Sequence, residues 1–129
     1  MRPFEELRVW QAAHGLTLDL YRETAEFPRD EIYGLTSQMR RAAASIGANI
    51  AEGSARGDSE FHQHLRIALG SAAELEYHLL LAKDLGFLSA TDYELSQKRV
   101  LEVQRMLASL ARHIKGSGAR QAAAQTINR

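Results

Sequence analysis

The stretch Gln38-Met39-Arg40-Arg41-Ala42-Ala43-Ala44-Ser45-Ile46-Gly47-Ala48-Asn49-Ile50-Ala51-Glu52-Gly53 decides the fold. It holds no proline, and alanine-rich sequence loses little side-chain entropy on entering a helix. Extended backwards, its inward positions read Ile32, Leu35, Met39, Ala42, Ile46, Asn49 and Gly53. Those gaps alternate between three and four, the spacing of one face of a packed helix. The sequence therefore predicts a helix over about residues 31–53, with Asp30 as its N-cap and Glu31 behind it.

The same period continues on both sides. Downstream, Phe61, Leu65, Ala68, Ala72, Leu75, Leu79 and Ala82 form a stripe over about 59–85, beside a second stripe of Leu69, Ala73, Tyr77 and Leu80. Gly86 offers a left-handed C-cap, with Phe87 and Leu88 folding back as its apolar contact. Thr91 and Glu94 are spaced as a capping box for a helix over about 92–115, with Tyr93, Val100, Val103, Leu107, Leu110 and Ile114 inward. Gly116-Ser117-Gly118 reads as its end, and residues 116–129 read as a flexible tail. Upstream, Pro3 suits a first helical position. Val9, Ala13, Leu16, Leu20 and Phe27 face inward over about 4–27, and Pro28 stops the helix. Four amphipathic segments with short connections imply an all-α, antiparallel up-down-up-down four-helix bundle over residues 1–115.

Composition agrees. Alanine and leucine total 37 residues, against 14 for valine, isoleucine and threonine together. That ratio favours helix over strand. The chain has no cysteine, which removes disulfides, thiolate metal sites and cysteine nucleophiles. No apolar run approaches the roughly 18 residues that suggest a membrane span. The N-terminus MRPFEELRVW is amphipathic and unlike a signal peptide, so a cytoplasmic location is expected, with no membrane partner.

Catalytic chemistry finds little to use. Bundles that hold two irons need Glu-x-x-His pairs, yet none of the five histidines has a glutamate three residues earlier. His62 and His64 point to different sides of a helix, while Glu74 and His78 have the spacing of a surface pair. His14 and His113 read as ordinary polar residues at the bundle boundary. Glu52-Gly53-Ser54-Ala55-Arg56-Gly57 lacks the ending of a phosphate loop and reads as a helix stop. No enzyme, metal or cofactor is expected.

Binding is the more informative question. The small residues from Ala42 to Ala48 permit close approach of another backbone, in this chain or in a second copy. Asn49 is an amide on the inward stripe, where such a group fixes register, and Ser45 lies one turn before it as a hydrogen-bond partner. Arg40 and Arg41 have no acidic residue within eight positions on either side. The 16 basic and 16 acidic residues balance overall. They do not balance along the chain: residues 98–129 carry +6 and the first 97 carry −6. A local basic surface is thus compatible with zero net charge.

The sequence also resembles a bacterial family of four-helix bundle proteins first noted as products of intervening sequences in 23S ribosomal RNA genes. That family includes the accessory variability protein of diversity-generating retroelements. The resemblance is carried by Phe4, Leu7, Val9 and Trp10, then by Phe27-Pro28 and Glu31. Its strongest part is Tyr33-Gly34-Leu35-Thr36-Ser37-Gln38-Met39-Arg40-Arg41, continuing through Ser45-Ile46, Asn49-Ile50-Ala51-Glu52-Gly53 and Arg56. Ile67-Ala68-Leu69-Gly70-Ser71, Glu74-Leu75 and Leu85-Gly86 complete it, over residues 4–115.

The resemblance implies a homo-oligomeric ring, typically a pentamer. In the retroelement branch it also implies nucleic-acid binding (RNA or DNA) beside a reverse transcriptase. The residues it carries over for nucleic acid are Gln38, Arg40, Arg41 and Arg56. Ser45, Gly47, Asn49, Glu52 and Gly53 are the expected structural and oligomer positions. Overall neutrality sets this chain apart from a strongly basic nucleic-acid binder. The alternative expectation is a scaffold oligomer that binds protein alone.

Overall fold

The computed structural model describes residues 3–127, with side chains through residue 115. Four α-helices account for most of it: α1 (Arg8–Thr24), α2 (Leu35–Ser54), α3 (Asp58–Asp84) and α4 (Ala90–Ile127). Each helix packs on its neighbour in sequence, and α1 closes the bundle against α4. The described residues contain no strand. The architecture is the expected all-α four-helix bundle.

The core follows the three-and-four period closely. Val9, Ala13, Leu16, Leu20 and Phe27 are buried, as are Met39, Ala42 and Ile46. Leu65, Ala68, Ala72, Leu75, Leu79 and Ala82 meet Val100, Val103, Leu107 and Ile114 in the same cluster. The Val, Leu, Ile, Phe and Met side chains among them each contribute roughly 1.5–3 kcal/mol when buried. The stripe fails at its edges. Ile32 is 53% exposed, because residues 29–31 form a 3-10 turn that precedes α2 and sits outside the core. Ile50 is buried while Asn49 beside it is half-buried. Ala73, Tyr77 and Leu80, expected to widen the buried face of α3, are exposed.

Helix ends differ from expectation where side chains compete for the capping position. Phe4–Glu6 is a 3-10 turn, and α1 begins only at Arg8. It ends at Thr24, whose hydroxyl donates to the Leu20 carbonyl at 2.7 Å. Helix α2 starts at Leu35, and Glu31 rather than Asp30 caps it, its carboxylate accepting from the Leu35 amide at 3.0 Å. Helix α4 is capped by Ser89, whose Oγ accepts from the Asp92 amide at 3.1 Å, so Thr91 lies inside the first turn.

The α3 terminus is as expected. Gly86 has φ +81°, and the amides of Gly86 and Phe87 donate to Lys83 and Ala82 in the paired pattern of a glycine C-cap. Leu88 is buried, and Phe87 packs on Phe27 with ring centroids 5.7 Å apart.

The stop expected at Gly116-Ser117-Gly118 is not where α4 ends. Its backbone stays helical to Ile127. Two glycines cost about 1 kcal/mol each relative to alanine, and the alanine-rich sequence after them favours helix.

Candidate functional site along the α2–α3 seam

Antiparallel packing sets one edge of α2 against one edge of α3. On α2 this edge carries Gln38, Arg41, Ser45, Asn49 and Gly53, at intervals of three or four residues. On α3 it carries Glu74, Ser71 and His64, again one or two turns apart.

The two edges join through a chain of polar contacts. Ser45 Oγ and Ser71 Oγ are 2.8 Å apart. Asn49 Nδ2 donates to the Ser45 carbonyl at 2.9 Å and to Ser45 Oγ at 3.2 Å, the relationship expected from sequence. Asn49 Oδ1 lies 3.0 Å from His64 Nδ1, which places a proton on that ring nitrogen. All four side chains are half-buried, so each group loses water that the network replaces. The network ends at Gly53. A Cβ there would lie 2.7 Å from His64 Cβ and 2.9 Å from the Phe61 ring, so only glycine lets the helices approach this closely.

Towards the other end the seam opens into a groove of about 540 Å³ lined by Gln38, Arg41, Ala42, Ser45, Ser71 and Glu74. Gln38, Arg41 and Glu74 are exposed at its mouth. A guanidinium, a carboxylate, an amide and two hydroxyls therefore share one recess. They suit polar recognition.

The expected nucleic-acid residues do not form one basic surface. Arg40 points away from the seam, towards α1. Its Nε donates to Thr24 Oγ1 at 2.9 Å, its Nη2 donates to the Tyr21 carbonyl at 3.2 Å, and its guanidinium stacks 4.7 Å from the Tyr21 ring. Arg56 lies between Glu52 and Glu60, with nitrogen–oxygen distances of 3.4 and 3.1 Å. Gln38 and Arg41 stay together, with Glu74 in the same groove. Gly47 lies on another face, where its added Cβ would sit 3.4 Å from Trp10 Nε1. Ser45, Asn49 and Gly53 share the seam, while Glu52 belongs to the Arg56 cluster.

Sequence reasoning missed His64, Ser71 and Thr24 as partners. The His64-to-Ser71 interval of seven residues was the available signal, since it matches two turns on one face of α3. The expected Glu74–His78 pair does not form. His78 is buried and its Nδ1 has no hydrogen-bond partner. His14 is exposed and stacks on Trp10 with centroids 4.6 Å apart. Among the described residues no cluster of three His, Asp or Glu side chains could hold a metal. None of their helices is long and apolar enough to cross a membrane.

Among the described residues one ionisable group is clearly perturbed. Burial pushes the Glu23 carboxyl above its ordinary range. The Ser96 hydroxyl opposes that by donating to it, Asp92 and Asp19 reinforce it, and Arg99 opposes it. Arg99 is itself paired with Asp19. This cluster ties α1 to α4, away from the α2–α3 seam.

Comparison with known proteins places the chain. No curated protein matches it. A solved structure from Bacteroides thetaiotaomicron VPI-5482, described as a protein with unknown function from the S23 ribosomal protein family, is similar at 25% identity and a TM-score of 0.72. The match covers 80% of this chain and 97% of that one. The model of the family described as 23S rRNA-intervening sequence protein matches residues 5–109, which contain the entire polar seam. The chain therefore belongs to the 23S rRNA-intervening sequence protein family.

Proposed function

We propose that this protein is a non-enzymatic scaffold that works as a homo-oligomer in the cytoplasm. The observation that carries the reading is a second groove, on the outer face of α1 and α2. It is lined by Phe4, Trp10, His14, Thr17 and Tyr21 on one side and by Ala44, Gly47, Ala48 and Ala51 on the other, with a volume of about 380 Å³.

Among the described residues no Asp, Glu, Lys or Arg lines it. Charge depletion with aromatic enrichment is the composition of an interface centre, and the small α2 side chains admit another helix closely. A second copy of this chain is the proposed occupant, and a ring of five is the assembly the reading predicts. The internal satisfaction of the polar seam supports a structural role for Ser45, Asn49 and Gly53 in holding α2 at the angle this face requires.

The test is mass in solution by light scattering. The wild-type chain is expected at a multiple of 14.4 kDa. Ala48→Arg, which puts a charge into the groove, is expected to give a single copy with unchanged helicity. A wild-type protein that remains a single copy at tens of micromolar overturns the reading.

A second reading, contact with RNA or DNA and a nucleic-acid enzyme such as a reverse transcriptase, is favoured by the exposed Gln38 and Arg41 and by the +6 charge of residues 98–129. Its signature is affinity for a labelled oligonucleotide that falls steeply with salt and weakens in Arg41→Ala.

A further inference from the structure

We propose that the groove between the start of α1 and the last turns of α4 before residue 115 binds an acidic amphipathic helix from another protein. This groove is lined by Leu7, Arg8, Val9, Arg105, Met106, Ser109, Leu110 and His113 and has a volume of about 570 Å³. It lies on a different pair of helices from the α1–α2 face, and the inference does not rest on self-association.

Its origin is local. Leu7 is extended, with φ −75° and ψ 126°, and the helical turn of residues 4–6 does not run on into α1. Leu7, Met106 and Leu110 line the channel as partly buried side chains packed on the core, with the buried Val9 beneath. Methionine in such a floor adapts to differently shaped apolar side chains.

The rim gives the occupant its charge. Arg105, Ser109 and His113 are spaced by four, so they form one row along α4. Arg8 stands on the α1 side, and Arg8, Arg105, Ser109 and His113 are all exposed. No carboxylate lines the groove, and neither Arg8 nor Arg105 forms an ion pair among the described residues. An apolar channel between cationic edges complements a helix with one apolar stripe flanked by Asp or Glu.

Residues 116–129 contain no Asp or Glu, while Arg120 and Arg129 are basic. A second copy's C-terminal segment would repel the rim. The matching segment belongs to a partner protein.

The experiment pans a display library of random peptides, about 16 residues long to span roughly four helical turns, against the full chain. Selected peptides are then labelled and their affinity measured by fluorescence anisotropy. The expected family has apolar residues at i, i+3 or i+4, and i+7, flanked by Asp and Glu. Its affinity should fall at least about tenfold in the double variant Arg8→Glu with Arg105→Glu. The same peptide with Lys in place of its acids should not bind.

Met106→Glu tests the floor independently and should also abolish binding, with circular dichroism confirming that both variants remain folded. Selection of no acidic amphipathic family overturns the proposal, as does binding that either folded variant leaves unchanged. An RNA oligonucleotide and phosphatidylglycerol vesicles serve as competing probes: if either binds wild type more tightly than every selected peptide and loses affinity in the double variant, a helical occupant is excluded.

Discussion

Arg40 lies across the Tyr21 ring, with its guanidinium carbon 4.7 Å from the ring centroid, and donates to the Tyr21 backbone carbonyl as well. One side chain of α2 thus satisfies a carbonyl near the α1 C-terminus, where the last turn has orphan acceptors and the dipole favours a cation. Arg40→Ala should destabilise the fold by about 1–3 kcal/mol, through a lost charge-assisted hydrogen bond and cation–π contact. Urea unfolding measures it. Lysine should recover only part of the loss, because one ammonium cannot reproduce the stacked, forked geometry.

Gly53→Ala should cost about 1–3 kcal/mol, since the new methyl meets the His64 Cβ and the Phe61 ring with no room to move away. Gly70→Ala is the control. Nothing lies within 4 Å of a Cβ at that position, so the helical gain should make the change neutral or stabilising. The thermal unfolding midpoint should therefore fall in Gly53→Ala and stay level or rise in Gly70→Ala.

The Asn49–His64 contact should appear as coupling. Asn49→Ala leaves the His64 ring nitrogen without its partner, at a cost of about 1–3 kcal/mol. In a double-mutant cycle with His64→Ala, the two losses should fall short of adding by about 0.5 kcal/mol or more. Strict additivity would show that the two side chains act independently.

Glu23 gives a pH dependence of definite sign. Its folded-state pKa is raised by burial, so between the unfolded and folded values the native state holds more proton than the unfolded chain. Stability from this group is greatest below the unfolded value and is lost as pH rises through the folded one. Glu23→Gln should therefore be more stable than wild type at pH 7, with the difference shrinking as pH falls towards the ordinary carboxyl value of 4.5. Denaturant midpoints across that range measure it. A difference that grows on acidification would reverse the assignment.

The elements were legible because the buried positions recur with the helical period, from Val9 to Leu20, from Leu65 to Ala82 and from Val100 to Ile114. Periodicity reports which face is inside and says nothing about which polar side chain meets which. Ser45 finds Ser71 across 26 residues of sequence, and Arg40 finds Thr24 across 16, so neither pairing has a local signature. Helix starts were missed for a related reason. Asp30 and Thr91 were plausible caps, yet Glu31 and Ser89 were better placed once the 3-10 turn and the Gly86 turn set the approach of the chain. Arginine exposure was the least legible feature, because a lack of nearby acids in sequence does not prevent capture by a carbonyl in space.

The extension of α4 gives the molecule a direction. At 1.5 Å per residue its 38 residues span about 57 Å, against about 40 Å for the 27 of α3. Because α4 runs towards the end where α1 begins, the start of α1 and the far turns of α4 share one pole. The opposite pole carries Tyr33 and Leu85 in its two turns. A pair of fluorophores at Arg8 and His113, which line one groove, should report proximity, and a third on the Tyr33 turn should stand apart from both.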